Sequence, residues 1–328
     1  MENKIFTSVI ILSYNSSKTI AEAIDSVLNQ VTEYPFEIII GDDCSTDNSR
    51  EICLKYKERY PDKIRLFFHE NNMGLVRNWL TLIKEAKGKY ITNCAGDDYW
   101  HNSNKLQIQV SYLEARPDYA LLYTDYDIFN EKTGKLIKNY LTYSGKKCLE
   151  GEGLIKKVYQ GKVPIAAVTV CFRKDVFDKY IPVQDYISLR FPIEDWPTWL
   201  IFSKYCKIGY LSQSTATYRK GHESHSNPLQ YEKIEKRFKL EQIMYEYVSK
   251  MFPEDLNYDE KNYQNYINSL LLNLSFRKND YESALKYSGR LLDNDFKNRK
   301  VIMARNKIFF RIFVLLQKAK GKFSLILI

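Results

Sequence analysis

The sequence predicts an α/β protein with a doubly wound, mostly parallel sheet and a C-terminal helical appendage. Three observations carry this expectation. Short continuous apolar runs alternate with segments of helical periodicity through the first 125 residues, the pattern of strands buried on both faces beneath covering helices. Polar and acidic residues stand where those runs stop, the edge at which open α/β sheets hold ligands. From about residue 230 strand signals vanish and helical spacing takes over, so the expected division is 1–229 and 230–328.

Element by element, SVIIL at 8–12 is the first strand, and Ile20, Ala23, Ile24, Val27 and Leu28 mark a helix within 16–30. FEIII at 36–40 is the second strand, closed by Gly41-Asp42-Asp43; Ser45-Thr46-Asp47 can then cap a helix reaching about Arg59. Residues 64–68 form the third strand, with Val76, Trp79, Leu80 and Ile83 on the third helix. The fourth strand, 90–93, runs into Ala95-Gly96-Asp97-Asp98, and a helix bearing Leu106, Val110 and Leu113 leads to a strand at 119–123. Beyond Asp125 the rhythm breaks. A turn at Lys132-Thr133-Gly134, a short helix at 154–159, a strand-like run at 166–172, a helix at 195–204 and a strand at 209–218 follow. Residues 263–276 and 281–292 read as a helical hairpin.

Composition removes several function classes. No apolar run approaches the roughly 18 residues of a spanning helix, and the run at 6–12 lacks a basic leader and a cleavage site. A cytoplasmic protein is expected. Six cysteines without Cys-x-x-Cys spacing argue against a zinc site or a disulfide framework. The net charge of +9 resides wholly in the tail, because nine basic and no acidic residues lie from Phe296 onward. The remaining body is neutral, which excludes the basic stripe of a nucleic-acid binder.

The chemistry centres on 87–102, KGKYITNCAGDDYWHN. Asp97 and Asp98, side by side at a strand's carboxyl end, suit a hard divalent cation shared with substrate phosphates. In isolation such a pair more often marks a solvated turn. Four further pieces change that weighting: VIILSYN at 9–15, EIIIGDDCSTD at 37–47, ENNMGLVRN at 70–78 and EDW at 194–196. Together, in this order, they resemble the inverting family 2 glycosyltransferases of the GT-A fold over roughly residues 5–226. Two positions depart from the family pattern: Gly41 where Val is usual and Cys44 where Gly is common.

The resemblance implies that Ser13, Tyr14, Asn15 and Asp43 hold a nucleotide base, and that Arg77 neutralises a pyrophosphate. It implies that Asp97 faces the donor ribose or sugar, while Asp98 contacts Mg²⁺ or Mn²⁺. Asp195 is the implied base for the acceptor hydroxyl; Ile193, Trp196, Pro197 and Trp199 offer an apolar surround that raises a carboxyl pKa. His222, in preference to His225, completes the metal site, with an arginine or serine of YRKGHESHS at 218–226 reaching phosphate. The bland alternatives are helix capping for Asp42 and Asp43, a surface arginine for Arg77, and a helix start beside core tryptophans for Glu194-Asp195.

The expected partners are a nucleotide-sugar donor, UDP-linked in preference, and a glycan or lipid-linked acceptor of surface-polysaccharide assembly. Residues 300–318 place Lys300, Lys307, Arg311 and Lys318 along a strongly apolar helix, which suits an anionic membrane surface as well as packing within the protein or an oligomer. Two rivals remain. A sugar-1-phosphate nucleotidyltransferase would want a glycine-rich loop after strand one, where Ser13-Tyr-Asn-Ser-Ser17 stands. A non-catalytic binding scaffold predicts loss of Asp98 or Asp195, and both are present.

Overall fold

The computed structural model describes residues 5–220, 230–291 and 299–319. The chain divides into two compact units, Met1–His222 and Glu223–Ile328.

In the first unit the described residues form one mixed sheet: β1 (Thr7–Ser13), β2 (Phe36–Asp42), β3 (Ile64–Phe68), β4 (Tyr90–Asn93), β5 (Tyr119–Asn130), β6 (Lys135–Ile137), β7 (Cys171–Arg173) and β8 (Lys207–Lys220). Their order is β3-β2-β1-β4-β7-β5-β6, with β8 also paired to β5. The pairs β1–β2, β1–β4, β2–β3 and β5–β8 are parallel. β7 runs antiparallel between β4 and β5, and β6 hairpins onto β5 across the expected turn at 132–134.

Alternation along β1 sends Val9 and Ile11 to one face, where they pack with Ile20, Ala23, Ile24 and Val27 of α1 (Ile20–Leu28) and Cys53 of α2 (Ser49–Arg59). The opposite face receives α3 (Leu75–Glu85), which buries Trp79, Leu82 and Ile83. Each such aliphatic side chain contributes roughly 1.5–3 kcal/mol on burial. On that face Phe172 of β7 lies 6.4 Å from Trp79 and 5.5 Å from Trp199 of α9 (Asp195–Tyr205), ring centroid to centroid. The remaining helices here are α4 (Lys105–Glu114), α5 (Tyr140–Tyr143), α6 (Ile155–Tyr159), α7 (Lys174–Tyr180) and α8 (Val183–Ser188).

Two expectations need correcting, the first being that β5 does not end at 123 but continues to Asn130. Residues 166–172 are not a continuous strand: Ala167–Thr169 turn as a 3₁₀ helix, and only Cys171–Arg173 pair with the sheet. Thr169 folds its hydroxyl back onto the carbonyl of Ala166 at 2.7 Å, a local bond that competes with extension.

The second unit is helical over its described residues: α10 (Tyr231–Met251), α11 (Glu260–Lys278), α12 (Tyr281–Ser288), α13 (Arg299–Ala304) and α14 (Lys307–Ala319). Asp259 and Asp280 cap α11 and α12 by accepting from Asn262 and Ser283 N–H. Asn279, left-handed at φ 56°, turns the hairpin between them. Leu271, Phe276, Ala284, Val301, Phe310 and Val314 share its core.

Candidate functional site

β1 lies between β2, its successor, and β4, reached by crossing back. This reversal of strand order opens a crevice at the carboxyl ends. The loops after β1, β2 and β4 carry the predicted nucleotide and metal residues.

Ser13 and Asp42 are register partners on β1 and β2, and the Ser13 hydroxyl donates to Asp42 Oδ2 at 3.1 Å. Asp42 is fully buried; it also accepts from Ser45 N–H at 2.9 Å and pairs with Arg50 at 2.6 Å. Its work is to hold the β2 exit. Asp43 accepts from the N–H groups of Met73 and Gly74 at 2.6 and 2.9 Å, so it draws the segment before α3 against β2. Each carboxylate oxygen keeps a further lone pair for a ligand. Asn15 is left-handed at φ 51°, and its Oδ1 accepts from Thr46 N–H at 2.8 Å. Tyr14, between these anchored neighbours, is 53% exposed. Arg77 is exposed on the first turn of α3, and among the described residues its guanidinium makes no ion pair.

Both departures from the family pattern have a physical reading. Where Gly41 stands, a Cβ would overlap Asn78 Oδ1, whose side chain donates to the Gly41 carbonyl at 3.0 Å. Cys44 holds φ 63°, the left-handed region that glycine occupies at no steric cost.

The acid pair sits in a tightly made turn. Gly96 N–H donates to the Leu12 carbonyl at 2.8 Å, and a Cβ there would meet that oxygen at 3.0 Å. Thr19 donates to the Gly96 carbonyl at 2.7 Å. Asp98 is only 4% exposed, and its Oδ1 accepts from Arg219 N–H of β8 at 2.9 Å. Burial first, and the Asp97 carboxylate second, push the Asp98 carboxyl well above its ordinary range. Asp97 is half-buried.

This donor set fits a divalent cation. Two adjacent carboxylates supply oxygen only, and bringing a positive charge to them offsets both causes that disfavour ionised Asp98. Among the described residues no group of three or more His, Cys, Asp and Glu is placed to hold a metal ion. His222 and His225 lie outside the described residues.

Glu194-Asp195 starts α9. α9 ends at Tyr205, one residue before β8 begins at Lys207. The expected apolar surround falls on Glu194 rather than on its neighbour. Glu194 is 6% exposed, its Oε2 is buried without a hydrogen-bond partner, and burial followed by the Asp195 charge raises its carboxyl to about 8. Asp195 is half-buried and accepts from Trp196 N–H at 2.7 Å.

One contributor, the arginine of 218–226, was expected to reach phosphate and not to support the acid pair, and the other was not anticipated. Arg219 supports Asp98 through its backbone, while its side chain pairs with Glu22 and lies 4.9 Å over the Tyr99 ring. Lys105 is wholly buried beside Trp100 and donates to the Thr169 carbonyl at 3.3 Å; burial lowers its ammonium to about 7. Nothing in local sequence distinguishes a backbone donor, or a lysine that folds inward.

Comparison with known proteins bears on the family and the fold. The family model described as Glycosyl transferase family 2 matches residues 8–181. Rv1520 of Mycobacterium tuberculosis is 30% identical over 218 residues, covering 65% of this chain and 58% of Rv1520. The Escherichia coli UDP-Glc:alpha-D-GlcNAc-diphosphoundecaprenol beta-1,3-glucosyltransferase WfgD is 33% identical over 132 residues, 40% of this chain and 50% of WfgD. The chain thus spans about half the length of these curated relatives. Among solved structures, Staphylococcus aureus TarS 1-349 with UDP-GlcNAc aligns over 97% of this chain and 92% of its own, at TM-score 0.54 and 17% identity. The Pyrobaculum calidifontis mannosyltransferase PcManGT, in complex with GDP-Man and Mn²⁺, aligns over 96% and 87%, at TM-score 0.52 and 14% identity. With a family match over more than half of its residues, and a mixed α/β sheet of the GT-A type beneath the acid pair, the chain belongs to glycosyl transferase family 2.

Proposed function

We propose that this protein transfers a sugar from a nucleotide-diphosphate sugar to a hydroxyl of a glycan or lipid-linked acceptor, with inversion at the anomeric carbon, in surface-polysaccharide assembly. The observation that carries the reading is the buried Asp98 beside Asp97 at the crevice between β1 and β4. A UDP-sugar is favoured, since it is the donor in WfgD's name and the ligand in the TarS complex.

In this reading Ser13, Tyr14, Asn15 and Asp43 hold the nucleoside, Arg77 offsets the diphosphate charge, and Asp97 contacts the ribose or sugar. Asp98, together with His222, holds Mg²⁺ or Mn²⁺. When bound, such an ion acts as a Lewis acid toward the departing diphosphate. Asp195 takes the proton of the acceptor hydroxyl as its oxygen attacks opposite the leaving group. Glu194 is kept protonated at neutral pH by its burial and by the neighbouring Asp195 charge.

A location at the inner face of the plasma membrane accords with α14. Ile308, Phe309, Ile312, Leu315 and Leu316 are 47–68% exposed there, whereas Phe310 and Val314 face the unit's own core. With basic residues alone from Phe296 onward, the surface complements an anionic membrane.

The test is a screen of nucleotide sugars for hydrolysis with and without Mg²⁺ or Mn²⁺, followed by transfer. We expect cation-dependent turnover that Asp98→Ala abolishes. Asp195→Asn should lower transfer about 10²–10⁴-fold while nucleotide binding persists. Full transfer by Asp195→Asn would remove it as the base.

A further inference from the structure

The segment between β6 and β7 builds a cavity of about 390 Å³ whose rim carries Lys146, Lys147, Lys157 and Lys162 over Leu149 and Pro164. No acidic residue lines it. All four lysines are exposed, and among the described residues none of them makes an ion pair. Their clustering is enforced by the backbone. Just past the end of α6, Gly161 is left-handed at φ 66°, and Lys162 N–H returns to the Lys157 carbonyl at 2.8 Å. Lys146 N–H likewise closes on the Leu141 carbonyl at 3.0 Å. Four like charges around one concavity repel one another unless a multivalent anion enters.

A short chain of contacts links the cavity's α6 to the proposed base. Val158 follows Lys157, and its carbonyl accepts from Trp196 Nε1 at 3.2 Å; the Tyr159 and Trp196 rings lie 6.0 Å apart. Trp196 in turn donates its N–H to Asp195.

We infer that this lysine-rimmed cavity binds the phosphate or diphosphate group of the acceptor, and so presents the acceptor's hydroxyl end toward Asp195. The inference rests on the transferase reading above and adds an acceptor class to it. Two sources share this chemistry: a lipid-linked diphosphate and a phosphodiester polymer.

The experiment measures binding to the full chain of geranyl diphosphate, a glycerol-phosphate oligomer and inorganic phosphate. It compares the natural chain with a Lys146→Ser/Lys157→Ser/Lys162→Ser variant and with its all-arginine counterpart, after circular dichroism has checked each fold. We expect geranyl diphosphate or the oligomer to bind more tightly than inorganic phosphate, the tighter of the two identifying the source. The serine variant should bind about tenfold more weakly, with binding retained in the arginine variant. Equal binding by natural and serine chains overturns the inference, as does a loss confined to Arg77→Ser, which would assign the anion to the donor side. Nucleotide binding, measured separately, tests the parent reading: its absence beside intact lysine-dependent anion binding sinks the transferase assignment alone.

Discussion

Two carboxyl pairs, Asp97-Asp98 and Glu194-Asp195, divide their burdens in the same way, one member buried and one half-buried. For Glu194 this has a stability consequence. Its carboxyl rises from an ordinary 4.5 to about 8 in the folded chain. The folded state therefore holds a proton that the unfolded state releases above 4.5, so stability falls as pH rises between these values. Glu194→Gln should be nearly neutral at pH 4.5 and stabilising at pH 8, as read by urea denaturation at both; an unchanged pH profile would refute the assignment. At Gly41 an added methyl meets Asn78 and also Leu82 Cδ1 at 2.8 Å. Gly41→Ala should cost about 1–3 kcal/mol, and Asn78→Ala should recover part of that in a double-mutant cycle. Additive losses would show that the two do not compete for space.

At the level of elements, the strands and helices up to residue 123 follow largely from periodicity, whereas β5 runs on to Asn130 through Thr124, Asp125 and Asp127, where the apolar pattern stops. The run at 166–172 misled because apolar residues next to a sheet need not extend: a side-chain bond at Thr169 closed a turn instead. α14 is amphipathic by sequence, but which apolar residues it spends on its own unit is decided by packing with α11 and α12. The exposed set predicts that Ile308→Ser with Leu315→Ser lowers co-sedimentation with anionic liposomes without lowering thermal stability. Neutral liposomes should retain little of either chain. Equal sedimentation of both on anionic vesicles would remove the membrane reading, and a lowered sedimentation coefficient without vesicles would assign the face to a second copy.

Over the whole molecule, the division at Met1–His222 and Glu223–Ile328 separates the sheet unit from one that carries the basic tail. A chain ending at residue 229 should unfold cooperatively and keep cation-dependent nucleotide binding while losing liposome binding; loss of nucleotide binding would show that the helical unit completes the donor site. The sequence by itself determined the fold class, the crevice-forming loops and the candidate residues Ser13, Asp43, Asp97, Asp98 and Asp195, because hydrophobic period and motif order are local properties. It could not assign burial within an acid pair, the Arg219 N–H that meets Asp98, or the lysines gathered about one cavity. Those depend on which distant backbone arrives beside a given side chain, and only the closed tertiary structure sets that distance and the solvent it excludes.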